Sequence, residues 1–399
     1  MSTRVFGLLS ATAAVAFLVA GSEARSSGAP DDQAPQPGVR PGAVMRRPGD
    51  GRAPEFPEPT ITQYKPRTTL KTAQHPVPRA KFPVIDIHSH QPAPISEAQF
   101  ATVVKGMDAN NLRILVNASG TQGDRLVQAI AALKNSQFKD RMVQFTDIDF
   151  RNVGPGWATK AVAQLEADKA AGAVGIGELS KAFGLRVRKA DGTRLKIDDP
   201  ELDPVWAAAG RLGLPVLIHT AEPQEFFEPI DFQNERWLEL ALYRDRRYPA
   251  GEFPRFDELM AERNRMFKKH PKTTFIAAHF AYHANDLVRA AALLDEMPNV
   301  HLEVGAILAE LGRQPRAAHA FFVKYQDRVI FGKDSFQPDE FPSFWRVFET
   351  NDEYFDYYRD YHAFWKLYGM GLPDDVLKKL YYRNTLRLVP GLPKHGWPQ

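Results

Sequence analysis

Phe82-Pro83-Val84-Ile85-Asp86-Ile87-His88-Ser89-His90 is the stretch on which the fold turns. It is a short apolar run rich in β-branched residues, as a strand buried on both faces requires, and it ends in two histidines one residue apart. Alternation along an extended segment sends both imidazoles to one side, which is what two ligands of one ion need. Similar apolar runs recur at 112–116, 142–146, 173–178, 214–219, 274–279, 300–304 and 329–334, which makes eight. Between them lie segments with helical spacing, among them 96–110, 159–170, 203–212, 285–296 and 315–325. Strand and helix alternating eight times predicts an α/β fold of the TIM type, a (β/α)₈ barrel, rather than two doubly wound halves.

Position gives the histidine pair its weight. His219 ends the fifth run, His279 the sixth and Asp334 the eighth, so titratable residues stand at the C-terminal ends of four predicted strands, the rim where barrels carry their chemistry. The other seven histidines, His362 among them, fall in a leader, in helices, in loops or early in a strand and read as structural or surface residues. There is no cysteine, so any metal must sit on His, Asp or Glu.

With these residues in place the sequence resembles the amidohydrolase superfamily, in particular the amidohydrolase-related branch (amidohydrolase 2) that also contains decarboxylases of the aminocarboxymuconate-semialdehyde type. The resemblance spans about residues 82–390 and rests on Asp86-Ile-His-Ser-His90, Leu217-Ile-His219, Ala277-Ala-His279 and Phe331-Gly-Lys-Asp334, in the expected order. It implies that His88, His90, His219 and Asp334 hold a catalytic divalent metal, Zn²⁺ first and Mn²⁺ or Fe²⁺ next, while His279 assists proton transfer or binds a second ion. Lys333 departs from the usual small residue before that aspartate, and its side chain is expected to point away from the barrel axis. Glu178 ends the fourth run, where related enzymes place a bridging carboxylated lysine, a glutamate or no ligand. It reads either as a ligand or as a group orienting a neighbouring histidine, with Lys181 near enough to pair with it. An ion on such ligands lowers the pKa of water from about 15.7 to roughly 7, and Asp334 is then expected to take the attacking water's proton while His279 polarises the scissile carbonyl.

Outside the predicted barrel, residues 81–392, two segments stand apart. Residues 1–24 have the basic start, apolar run and small-x-small ending of an export signal, which implies a periplasmic or secreted protein; a retained membrane anchor is the alternative, at the lower length limit for a span. Residues 25–80 carry eleven prolines and read as a disordered leader. That leader also holds nine Lys/Arg against five Asp/Glu, so with Arg4 and Glu23 cancelling, the formal charge of +3 leaves −1 from Lys81 onward, no footprint for nucleic acid.

Two predicted loops are long, 221–253 after the fifth run and 336–372 after the eighth, the latter with thirteen aromatics. They are expected to roof the site and line a pocket, or else to pack on themselves or on another subunit in a homo-oligomer. Arg313 and Arg316 after the seventh run and Arg236 in the first insertion are candidate anchors for a substrate carboxylate, with internal ion pairs as the alternative. The expectation for function is a hydrolase of an amide, ester, lactone or cyclic imide in a small molecule. The rivals are a non-oxidative decarboxylase on the same site and a secreted binding protein without turnover.

Overall fold

The computed structural model describes residues 57, 59–359 and 361–398. The expected export signal and most of the leader lie outside them. Two units emerge, Met1–Pro66 and Arg67–Gln399. Of the first, the described part holds a turn in which Gln63 N–H donates to Thr60 O at 2.9 Å. Among the described residues no helix is long and apolar enough to cross a membrane.

The second unit carries eight parallel strands: β1 (Val84–Ser89), β2 (Leu112–Asn117), β3 (Met142–Gln144), β4 (Ile176–Leu179), β5 (Val216–Ile218), β6 (Phe275–Ala277), β7 (Val300–Glu303) and β8 (Val329–Ile330). They form two ladders, β1-β2-β3 and β4-β5-β6-β7-β8. Single bridges carry both seams. Thr146 pairs with Ile176 between β3 and β4, and Ser89 with Asp334 between β1 and the end of β8. At the second seam Ile87 N–H donates to Phe331 O at 3.1 Å and Asp334 N–H to His88 O at 2.8 Å, so the sheet returns to its first strand as a (β/α)₈ barrel.

Helices follow the strands in turn. They include α1 (Glu97–Asn110), α2 (Gly123–Asn135), α3 (Trp157–Ala171) and α4 (Asp203–Leu212), then α5 (Trp237–Leu242) and α6 (Phe256–Lys269) after β5. Next come α7 (Leu287–Glu296), α8 (Leu308–Gly312) and α9 (Pro315–Lys324), and after β8 α10 (Phe341–Glu349). The sequence explains the ends: Ser96 and Gln99 form a reciprocal capping box on α1, and Gly213 stops α4 in the left-handed region at φ 65°.

The unit starts upstream of residue 81. His75 meets Asp352 through its backbone N–H at 2.7 Å and its Nδ1 at 2.6 Å, and Ala80 is buried. Most aromatics of the second insertion pack inward, Tyr354 and Phe364 staying exposed, and none lines the cavity at the rim. Phe331 at the end of β8 lies 5.0 Å from Trp345, 5.9 Å from Phe344 and 5.9 Å from Tyr381, ring centre to ring centre. The rings reach Phe331 because α10 buries Phe341, Phe344, Trp345 and Phe348 together.

Candidate metal centre

The rim of the barrel is strained where it carries polar side chains. Of ten non-glycine residues with positive φ among the described residues, seven are Ala221, His279, Phe280, Ala281, Tyr282, Ala306 and Asp334, all just past the ends of β5 to β8. Residues 279–281 form a left-handed turn at φ/ψ 54/40°, 58/32° and 56/20°, a conformation costing roughly 1–2 kcal/mol per residue. Surroundings must hold it. Arg263 of α6, fully buried, donates to Ala281 O at 2.8 Å and to His283 Nε2 at 3.2 Å, and the turn sets the His279 and Tyr282 rings 5.3 Å apart.

Two sets of donor atoms meet at Glu178. Its Oε2 lies 3.2 Å from His88 Nε2 and 3.3 Å from His90 Nε2, and Asp334 Oδ1 completes the set at 3.8 Å and 3.4 Å from the same two nitrogens. Ligand atoms about 2.0–2.1 Å from a tetrahedral centre stand roughly 3.3 Å apart, so these spacings suit one ion. Its Oε1 faces the second set, His219 Nδ1 at 2.9 Å and His279 Nε2 at 3.4 Å, and the two nitrogens are 3.1 Å from each other.

Partners behind each ring determine which nitrogen faces inward. His88 Nδ1 is 3.3 Å from the buried Glu303 Oε2, so the Nδ1 proton goes there and Nε2 keeps its lone pair. Although Glu178 is close, His88 Nε2 is buried and makes no hydrogen bond. His279 Nδ1 donates to Gly305 O at 2.9 Å, and His219 Nε2 lies 3.0 Å from Ala221 O and 2.9 Å from the Tyr282 hydroxyl, which in turn donates to Glu222 at 3.0 Å. With these tautomers, assigned from their partners, His88, His219 and His279 all turn lone pairs toward the Glu178 carboxylate, and positive charge between them relieves that.

The titration tendencies agree. Burial alone would depress His88, His90 and His219, but facing carboxylates outweigh it: His88 is held well above its ordinary value by Glu178 and Glu303, His90 at about 9 chiefly by Asp334 and Glu178, and His219 at about 10 by Glu178 and Glu222. Burial would raise the Glu178 and Asp334 carboxyls, yet the imidazoles hold both low. Protons or a divalent cation can supply the charge, and the donor set fits the cation.

This arrangement departs from the expected ligand set. Glu178, not His219, joins His88, His90 and Asp334, while His219 joins Glu178 and His279. Of the roles left open for His279, the inward lone pair fits a ligand rather than a donor to a carbonyl. Lys181 pairs with Glu222 at 3.2 Å rather than with Glu178. Lys333 does turn away, to Glu340 and to Ser335 O at 2.7 Å.

Of the arginines, Arg236 lines the cavity above the centre but is buried and bound to Glu310 at 2.6 Å and Glu239 at 3.4 Å. Arg313 pairs with Glu235 at 2.9 Å over Trp365, and Arg316 is exposed on α9; neither lines the cavity.

Sequence reasoning missed Glu303, Asp86, Glu222 and Tyr282. Glu303 ends β7 and Glu178 stands one residue before the end of β4, a signal present in the sequence. Asp86 is buried, accepts from His88 N–H at 3.0 Å and Lys333 N–H at 3.1 Å, and so ties β1 to β8; burial raises its carboxyl to about 7. Glu303 is seated against glycines: a Cβ on Gly332 would overlap its carboxylate and stand 2.8 Å from His88 Cβ. Gly332→Ala is therefore expected to lower stability by about 1–3 kcal/mol in urea unfolding and to weaken metal retention, whereas an unchanged midpoint would show that Glu303 has room to move.

The amidohydrolase family model matches residues 78–391, well over half of the chain. The chain belongs to the amidohydrolase family. No curated protein matches it. Solved structures similar to it include an uncharacterized TIM-barrel protein from Bordetella bronchiseptica, 16% identical over 76% of this chain and 97% of that one with a TM-score of 0.49. Another is a 2,6-dihydroxybenzoate decarboxylase complexed with 2,6-dihydroxybenzoate, 15% identical over 77% and 98% with a TM-score of 0.47. A third is an amidohydrolase with bound zinc from Burkholderia multivorans, 15% identical over 77% and 98% with a TM-score of 0.30. The barrel itself rests on the strand hydrogen bonds above. Family membership supports metal-dependent catalysis on a small molecule.

Proposed function

We propose that this amidohydrolase is a metal-dependent hydrolase that cleaves an amide, ester, lactone or cyclic imide. The carrying observation is Glu178 shared between two donor sets, with Asp334, 37% exposed at its side chain, opening from the first set onto the cavity. His88, His90, Glu178 and Asp334 would hold one divalent ion, and Glu178, His219 and His279 would hold a second. When bound, such ions supply Lewis acidity toward water and toward the acyl oxygen.

The remaining work belongs to the chain. Asp334 accepts a proton from the attacking water as the water oxygen bonds to the acyl carbon, and returns it to the departing nitrogen or oxygen when that bond breaks. Glu303 keeps the His88 ring in its tautomer, and Gly305 O does the same for His279. Hydrolytic screening of the metal-reconstituted chain against amides, esters, lactones and cyclic imides, with CO₂ release followed in parallel, tests the reading. Release of CO₂ without hydrolysis would replace it with the decarboxylase.

Metal analysis after loading with excess zinc is expected to find two ions per chain, and His88→Ala one or none, with a lower melting temperature than its parent. Unchanged metal content in that variant would mean that the site is elsewhere.

A further inference from the structure

Residues 67–79 cross the surface beside α10 as an irregular segment that takes no part in the metal centre. Among the described residues, their main chain makes no hydrogen bond to another main chain. Pro76 and Pro78 have no N–H to offer, and within the segment only Thr72 and Val77 are half-buried, the rest being exposed. What holds this strap is one buried carboxylate. Asp352, with its side chain fully buried, accepts from His75 N–H at 2.7 Å, from His75 Nδ1 at 2.6 Å and from Arg346 Nε of α10 at 2.8 Å. Two of these three donors come from the strap. Arg346 donates in turn to Gln74 Oε1, and Thr72 Oγ1 donates to Glu353 O at 3.2 Å.

Asp352 is also where one wall of the cavity is tied down. Its C=O accepts from Gly369 N–H at 2.7 Å, and beyond it Phe355 and Leu367 exchange backbone hydrogen bonds at 3.0 and 2.8 Å. The two limbs, 350–355 and 367–371, run so close that a Cβ on Gly369 would overlap Thr350 O. Arg346 packs on the first limb, its guanidinium 4.0 Å over the Phe355 ring. The loop that the limbs close carries Arg359 and His362, which line the cavity over the metal centre. A buried carboxylate that loses its donors must return to water. Asp352 cannot do so and leave the limbs in place, because its own main chain is part of their pairing. The strap, exposed and held at few points, is the part of this assembly that gives way first.

We infer that residues 72–79 are a releasable strap controlling access to the metal centre. Docked, His75 and Gln74 hold Asp352 and Arg346, and the wall bearing Arg359 and His362 stays closed. Lifted, they free Asp352 to turn to solvent, and the limbs part.

Hydrogen exchange of the full chain, read by mass spectrometry, tests this. In His75→Ala the amides of Phe355, Leu367 and Gly369 are expected to exchange at least about tenfold faster than in the parent, since losing a hydrogen bond to a charged group shifts a local opening equilibrium by about that factor. Strand amides such as Ile87 and Val216, bonded to Phe331 O and Thr274 O, are expected to keep the parent's rates. Gln74→Ala leaves Asp352 its donors and is the milder variant if His75→Ala folds poorly; the same amides are expected to exchange about two- to threefold faster in it. In the zinc-loaded chain, His75→Ala is expected to hold as much zinc as the parent but to release it to excess EDTA at least about fivefold faster. Limb amides left unchanged by His75→Ala would overturn the inference. So would limb and strand amides accelerated alike, which is a loss of global stability, or faster limb exchange with zinc release unaltered. The inference rests on the metal reading only in its zinc arm: a chain that binds no zinc would sink that reading, and exchange of the limb amides would still decide for or against the strap.

Discussion

Asp334→Asn is expected to fold, to keep most of its metal and to lose about 10²- to 10⁴-fold in kcat, the range for loss of general acid-base catalysis. Asparagine preserves shape and can still offer an oxygen to the first donor set, 3.4 Å from His90 Nε2. It cannot take a proton from water at neutral pH. The backbone at this position argues that the substitution is tolerated, since φ is 78° and asparagine enters the left-handed region more readily than most residues. Steady-state kinetics at matched metal content checks the expectation. Activity within a few-fold of the parent would rule Asp334 out as the base and leave it as a tether for the ion.

Glu178→Ala is expected to have an even larger effect, because one carboxylate serves both donor sets. Removing it takes away the negative charge facing His88, His90, His219 and His279 together, and the loss of several kcal/mol of metal-ion catalysis corresponds to about 10³-fold or more in kcat/KM. Glu178→Gln separates charge from shape. Its single amide oxygen can serve one set, so metal analysis should fall from two ions per chain toward one. A glutamine variant that still bound two ions at the parent's affinity would show that Glu178 orients the histidines without bridging them.

What the sequence by itself determined was local. Apolar runs eight times over predict the barrel, because a strand covered on both faces needs apolar residues throughout. Alternation within Ile87-His88-Ser89-His90 puts two imidazoles on one side, and the strand ends bring His219, His279 and Asp334 to one rim. Which of these atoms converge was decided only in three dimensions. Glu178 and Glu303 carry the same signal, a glutamate at a strand end, yet one lies between the donor sets and the other behind His88. That difference depends on where the β8–β1 seam closes and on the left-handed turn held by Arg263, neither of which leaves a periodic mark in the chain. The aromatic insertion shows the same limit. Its composition suits a substrate pocket and a packed core equally, and it became core because the exposed end of β8 offered apolar surface to cover, while the cavity received the polar side chains that core could not accept.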